Sequence, residues 1–117
     1  MKKILLLGLC MICLTACSEE KVEVQSIDCI TKNAYVSEGA VLIDVRSSLE
    51  FEQGHLNNAI NIDVEAIAEY IEDEVPNKDT KIIVYCRSGN RSATAAQTLI
   101  DMGYTNVYDL GAMSNCG

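Results

Sequence analysis

Apolar positions in this chain fall into short unbroken runs separated by stretches of helical spacing. Val41-Leu42-Ile43 and Ile82-Ile83-Val84-Tyr85 are wholly apolar, the pattern of strands covered on both faces. Ala59 to Ile62 reads as a further short strand, Asn106 to Leu110 as a final one, and a first strand is expected near Val22 to Gln25. Between them, Val64, Ile67, Ala68, Ile71 and Val75 recur at helical spacing. Asp28 is placed to cap a helix running to about Val36, with Gly39 ending it. A short helical piece follows from Ser48 to Gln53, and an Ala-rich helix runs from about Arg91-Ser92 to Asp101, after which Gly103 turns the chain. Pro76-Asn77-Lys78-Asp79 breaks the chain before the Ile82 strand. Strands alternating with helices predict an α/β domain with a parallel sheet and helices on both faces.

Ahead of this pattern, Lys2-Lys3 precedes apolar Ile4 to Leu14. That run falls short of the ~20 residues a permanent span needs and has the layout of a secretory signal. Leu14-Thr15-Ala16-Cys17 resembles a bacterial lipobox, which implies cleavage before Cys17 and lipid on its sulfur; the simpler alternatives are an ordinary signal peptide or an uncleaved anchor. The expected organisation is a signal peptide over 1–16, a lipid-anchored tether over 17–24, and one domain over 25–117. The domain would then be exported and held at the bacterial cell envelope membrane.

Charge and cysteine count narrow the function. The whole chain carries a formal charge of -8, and loss of Lys2 and Lys3 leaves seven basic against seventeen acidic side chains, or -10. So acidic a chain has no basic stripe for nucleic acid and no polybasic patch for anionic lipid, so membrane attachment would come from the lipid alone. About a hundred residues can bury a modest core without disulfides. Of six cysteines, Cys10 and Cys13 leave with the signal and Cys17 takes lipid. Cys29, Cys86 and Cys116 cannot pair completely, so at least one thiol stays free.

The free thiol with the most chemistry around it is Cys86. The Ile82 strand delivers it into the polar loop Arg87-Ser88-Gly89-Asn90 at the start of a helix, where backbone N–H groups without intrahelical partners and the helix dipole favour a thiolate. Gly89 can take a positive φ that lets the loop turn tightly, and Asn90 tolerates one too. Arg87 and Arg91 add fixed positive charge suited to an anionic ligand. Because ligands of such sheets sit at the carboxyl ends of the strands, Asp44 and Arg46 are expected at the same edge.

Cys86-Arg87-Ser88-Gly89-Asn90-Arg91-Ser92 resembles the active-site loop of the rhodanese-like sulfurtransferases. Asp44-Val45-Arg46, Glu50-Phe51, Gly54-His55-Leu56 and Ala59-Ile60-Asn61-Ile62 are similar to that family's other signature. The resemblance spans roughly residues 24 to 113. It implies the family's parallel sheet and transfer of sulfane sulfur from thiosulfate or a persulfide, through a Cys86 persulfide, to cyanide or a thiol. It also implies a cradle formed by residues 87 to 91 and no metal or organic cofactor. Arg91 would order the loop and bind anion, Asp44 and Arg46 would support the site, and Glu50 would pair with Arg91. Expected partners are a small anionic sulfur donor, a thiol or cyanide acceptor, or a persulfide-carrying protein, with no nucleic acid. Four residues lie between Cys86 and Arg91, whereas the related phosphatases and arsenate reductases have one more, which argues against a phosphatase.

Plainer readings apply to the remaining residues. A cysteine after an apolar strand is more often an inert core thiol, and only the full loop motif overrides that for Cys86. The lone His55 belongs to a turn rather than a metal site. Tyr35, Tyr70, Tyr104 and Tyr108 read as packing or surface residues, Glu69, Glu72, Asp73 and Glu74 as a solvated helix face, and Cys29 as a buried helix residue. Two departures stand out. Asn57-Asn58 replace the family's frequent Pro-Gly, and Leu110-Gly111-Ala112-Met113 is followed by Cys116 where Trp is common, leaving the family's closing C-terminal helix without residues. That predicts a sheet face left partly exposed or covered by a partner. It also raises a second function, a thiol-disulfide switch in which Cys116 acts as resolving cysteine for Cys86, which requires Cα atoms within about 7 Å. A third is a non-enzymatic sulfur-binding module.

Overall fold

The computed structural model describes residues 21–117. The signal peptide, the lipobox with Cys17 and the first part of the tether lie outside the described residues. From Gln25 onward the order is β1 (Gln25–Ser26), α1 (Cys29–Ser37), β2 (Val41–Asp44), α2 (Ser48–Glu52), β3 (Ala59–Asn61), α3 (Ile67–Glu74), β4 (Ile82–Cys86), α4 (Asn90–Asp101) and β5 (Val107–Ala112), closed by a 3-10 turn, Met113–Cys116. All strand pairs are parallel, in the order β1-β5-β4-β2-β3, and every carboxyl end faces one edge. Among the described residues, no helix is long and apolar enough to cross a membrane.

Local chemistry accounts for the boundaries. The Asp28 side chain accepts the Thr31 N–H at 2.8 Å and caps α1. Ser47 and Glu50 form a capping box that starts α2. Helix α3 begins at Ile67 rather than Val64: residues 64–66 form a turn, with the Ala66 N–H on the Asp63 carbonyl at 2.8 Å and the Val64 N–H on the Val45 carbonyl at 3.0 Å. Its buried stripe is Ile67, Ile71 and the following Val75, while Ala68 is exposed. The first strand falls at Gln25–Ser26, slightly beyond the apolar Val22 and Val24, where it pairs with Tyr108 and Asp109. The Asn57-Asn58 turn places Asn58 at φ 72°, a conformation asparagine tolerates better than most residues.

Alternation along β4 divides the core in two. Ile82, Val84 and Cys86 pack with Ile67, Ile71, Ala95, Ala96 and Leu99 of α3 and α4. Ile83 and Tyr85 face the other way, into a cluster with Leu42, Tyr108 and Leu110 that α1 covers through Tyr35 and Val36. This second face is not left open. Leu56, Met113 and Cys116 pack against it beside α1, and Tyr85 and Leu110 are almost wholly buried.

A disulfide fixes that closure. Cys116 is bonded to Cys29, 87 positions earlier, with Cα atoms 5.2 Å apart. Cys29 is thus no buried helix residue but the half-buried first residue of α1. Cys116 is accordingly not the resolving cysteine of Cys86. The two sulfurs belong to opposite faces of the sheet, Cys86 on the side of α3 and α4 and Cys116 on the side of α1. Cys86 is the free cysteine among the described residues.

Candidate functional site

Cys86 ends β4 fully buried, at the bottom of a loop that folds back over its sulfur. Gly89 takes φ 105° at the N-cap of α4, a left-handed conformation in which a side chain would be strained. This turn points the Gly89 N–H at Cys86 Sγ, 3.0 Å away, and the Ser92 N–H reaches the same sulfur at 3.3 Å. The Ser92 hydroxyl donates to the Gly89 carbonyl at 3.1 Å and locks the turn. Burial pushes the Cys86 thiol up. Hydrogen bonds from Ser92, then from the Gly89 and Ser88 N–H groups, outweigh it, so the thiol titrates below its usual range.

Glu50 anchors the cationic side of the loop. Its carboxylate accepts Arg91 Nη1 and Nη2 at 2.8 and 3.1 Å, a two-point pair. It also accepts the Ser47 N–H at 3.1 Å and, more loosely, Arg87 Nη2 at 3.5 Å. The Arg91 hydrogen bonds, followed by the Ser47 N–H, hold the Glu50 carboxyl well below the carboxylate range, and the same pair raises Arg91. Arg91 is therefore immobilised, whereas the Arg87 side chain is 71% exposed and free to meet an anion.

Asp44 and Arg46 form the floor. Asp44 is fully buried and accepts the Arg46 N–H and guanidinium, the closest contact being Nη2 to Oδ2 at 2.6 Å. Arg46 Nη2 also donates to the Gly54 carbonyl at 2.7 Å, which ties the end of β2 to the turn after α2. The Asn61 amide donates to the Asp44 and Arg46 carbonyls, both at 2.9 Å. The Tyr85 hydroxyl accepts the Leu56 N–H at 3.0 Å.

Beside the loop opens a cleft of about 610 Å³ whose walls include Arg46, Glu50, Leu56, Arg87, Met113 and Cys116. Cys86 does not line it; Arg87 joins the cleft to the loop. The register brings the far wall close, since a bulge at Val84/Tyr85 pairs Cys86 with Ala112. The turn that follows Ala112 therefore stands next to the loop.

The structure thus gathers Cys86, Arg87, Ser88, Gly89, Arg91, Asp44, Arg46 and Glu50 at one sheet edge. Asn90 is the first helical residue of α4, and its tolerance of positive φ goes unused because Gly89 takes that role. His55 stacks on Phe51 with ring centroids 3.7 Å apart, and its Nδ1 lies 3.0 Å from the Phe51 carbonyl oxygen, a turn-forming arrangement. Two further residues contribute. Ser92 belongs to the loop motif, and its place in the first turn of α4 is the sequence signal for an N–H on the sulfur. Asn61 carries no such signal, because its carbonyl partners become neighbours only when β2 and β3 pair.

A profile of the Rhodanese-like domain family matches residues 24–114. Thiosulfate sulfurtransferase PspE of Escherichia coli is 38% identical over 73 residues, covering 62% of this chain and 70% of that protein. Thiosulfate sulfurtransferase GlpE of Pseudomonas syringae is 36% identical, covering 62% and 67%. Among solved structures, a rhodanese with anions from E. coli superposes with a TM-score of 0.64 at 36% identity, over 66% of this chain and 91% of that one.

Proposed function

The chain belongs to the rhodanese-like domain family and is a sulfurtransferase of the thiosulfate sulfurtransferase type, and from that premise we propose that it works through a persulfide on Cys86. The observation that carries this reading is the Cys86 sulfur, buried and held by the Gly89 and Ser92 N–H groups at the start of α4. These donors favour a thiolate now and suit the negative outer sulfur of a persulfide afterwards.

In the first half-reaction the Cys86 thiolate attacks the outer sulfur of thiosulfate. The sulfur–sulfur bond of the donor breaks and sulfite leaves with the electron pair. Arg87, exposed and loosely held, meets the donor's negative charge, while Arg91, pinned by Glu50, keeps the loop in shape. In the second half-reaction the acceptor attacks the outer sulfur of the persulfide, and the Cys86 thiolate departs. Cyanide gives thiocyanate; a thiolate gives a new persulfide. A persulfide on a small thiol or on a protein fits the same site as donor. We place the enzyme at the cell envelope, anchored through lipid on Cys17.

The test is intact-mass measurement on the chain from Ser18 onward before and after thiosulfate. A gain of one sulfur atom that requires Cys86, survives Cys116→Ser and vanishes on adding cyanide is expected. No gain would sink the persulfide route. Gain without release to cyanide or thiol would favour a non-enzymatic sulfur-binding module. For the anchor, Cys17→Ala should move the protein from the membrane fraction to the soluble fraction.

A further inference from the structure

The Cys29–Cys116 disulfide takes no part in the sulfur transfer described above, yet it borders the cleft. Cys116 lines two clefts at once. One is the cleft beside the Cys86 loop, whose wall it forms with Met113. The other, of about 470 Å³, runs along α1 and its lining includes Cys29, Lys32, Asn33 and Cys116. The bond therefore sits between them, and both of its cysteines are half-buried.

The turn it holds has little else to keep it in place. Among the described residues, the hydrogen bonds of Met113–Cys116 run only to Leu110, through the Asn115 amide at 2.8 Å, and within the turn itself. Met113 packs on the Leu42 and Tyr85 face, but no hydrogen bond joins the turn to α1. The covalent link to Cys29 is what ties this wall to the body of the domain.

The two sulfurs also differ in their surroundings. Cys29 is the first residue of α1, next to the Asp28 carboxylate that caps the helix at the Thr31 N–H. Cys116 ends a 3-10 turn and lines the cleft beside the Cys86 loop. Cys116 Sγ is therefore the sulfur that a reductant entering that cleft meets, with Cys29 as the leaving thiolate.

From this arrangement, and resting on the sulfur-transfer reading, we propose that Cys29 and Cys116 form a dithiol/disulfide couple whose oxidation state sets the cleft wall used by bulky thiol acceptors. One thiolate of an external dithiol attacks Cys116 Sγ, the Cys116–Cys29 bond breaks, and Cys29 leaves as a thiolate. The second thiol of the reductant attacks its own sulfur in the mixed disulfide and releases Cys116. Two electrons and two protons pass from the dithiol, which leaves as a disulfide. Met113 and Cys116 then lose their tether, and the cleft loses a wall. A two-atom acceptor does not need that wall; a peptide thiol does.

The experiment uses the purified full-length protein in three states: as the disulfide, after anaerobic reduction with dithiothreitol that is then removed, and after reoxidation. Cys29→Ser, which breaks the bond without altering a residue of the main cleft, is the fourth sample, and peptide mapping reports the Cys29–Cys116 link in each. Turnover is measured with thiosulfate as donor and either cyanide or glutathione as acceptor. The expected result is unchanged cyanide kinetics, with KM for glutathione raised roughly five-fold or more in the reduced and Cys29→Ser samples and restored on reoxidation. Equal glutathione KM values in all samples would overturn the proposal, as would equal losses with both acceptors, which mark general loosening. A disulfide that yields to dithiothreitol only in denaturant would also overturn it. Failure of Cys86 to take up sulfur in every sample is a separate result, which removes the sulfur-transfer reading and this inference with it.

Discussion

The Asp44–Arg46 pair offers the sharpest test of how the site is supported. Asp44 has no exposed surface and the Arg46 side chain is 8% exposed, so neither charge is hydrated in the usual way. Replacing Arg46 by Met leaves a buried carboxylate with the residue 46 N–H and the nearby Tyr85 hydroxyl but no cation; replacing Asp44 by Leu leaves a guanidinium whose other partner is the Gly54 carbonyl. Removing one member of a buried pair costs about 3–5 kcal/mol, because the remaining charge is stranded. The double variant Asp44→Leu/Arg46→Met strands no charge. It forfeits the Arg46 bond to Gly54 and the contact of the guanidinium with the Tyr85 ring, 5.9 Å to the centroid, a loss of about 1–2 kcal/mol.

The two changes together should therefore harm stability less than either alone. Urea unfolding of the four proteins at neutral pH measures this directly, with constant m values as the check that the unfolded states are comparable. Coupling of about 4 kcal/mol or more is expected from these magnitudes, above the usual range for residues in contact because both members are buried and charged. Losses that simply add would show that Asp44 and Arg46 are supported independently, and the assignment of this pair as the floor of the site would fall. Turnover adds a second reading. The double variant should remain folded yet lose activity, because the turn after α2, which carries the Gly54 side of the cleft, is no longer tied to β2.

Three further outcomes follow from the geometry. Cys29→Ser opens a loop spanning 87 positions and should cost up to about 4.6 kcal/mol in chemical unfolding by the chain-entropy argument; a loss below about 1 kcal/mol would mean that packing alone holds the closing turn. Cys86 is depressed in the folded state, so its thiolate absorbance near 240 nm should appear below the usual thiol range. Its stability contribution should be present above the unfolded thiol pKa and be lost as pH falls through the folded value; a midpoint at or above the usual range refutes the N–H cradle. Gly89→Ala meets no crowding, since a Cβ there would lie 3.9 Å from Gly111 Cα, but the positive φ should cost roughly 1–2 kcal/mol. It should also swing the N–H away from the sulfur, raising the thiolate midpoint and lowering turnover; an unchanged midpoint would show that Ser92 suffices.

The strand, loop and helix around Cys86 were legible because all their determinants lie in one continuous stretch. An apolar run, a glycine that can take positive φ and a helix start within a dozen residues specify the sulfur's surroundings locally. The Glu50–Arg91 clamp joins residues 41 positions apart, beyond any local pattern, and came from the family resemblance. The Cys29–Cys116 bond had neither source. Spacing does not encode pairing, and the decisive fact, which face of the sheet each sulfur occupies, exists only once the strands are ordered. Ala68 shares the helical spacing of its apolar neighbours yet is exposed, because periodicity reports a stripe but not its width: α3 buries Ile67 and Ile71, and Val75 follows at its end.

That division of faces also explains how an oxidised pair and a reactive thiol coexist in one small domain. A thiolate beside a disulfide invites exchange, and three cysteines could in principle settle into any of three pairings. Here β4 alternation turns Cys86 toward α3 and α4, while the closing turn carries Cys116 to the α1 side. Both sulfurs lie near the carboxyl edge, since Cys86 pairs with Ala112 just before the closing turn, but the Cys86 sulfur is buried under its loop and held by the Gly89 and Ser92 N–H groups. Exchange therefore requires the loop and the start of α4 to lift off the sulfur. It follows that variants which loosen the packing of α4 on β4, such as Leu99→Ala, should accumulate Cys86-containing disulfides on storage in air in step with their loss of stability. If such disulfides form at the same rate in stable and unstable variants, that packing is not what keeps the sulfurs apart.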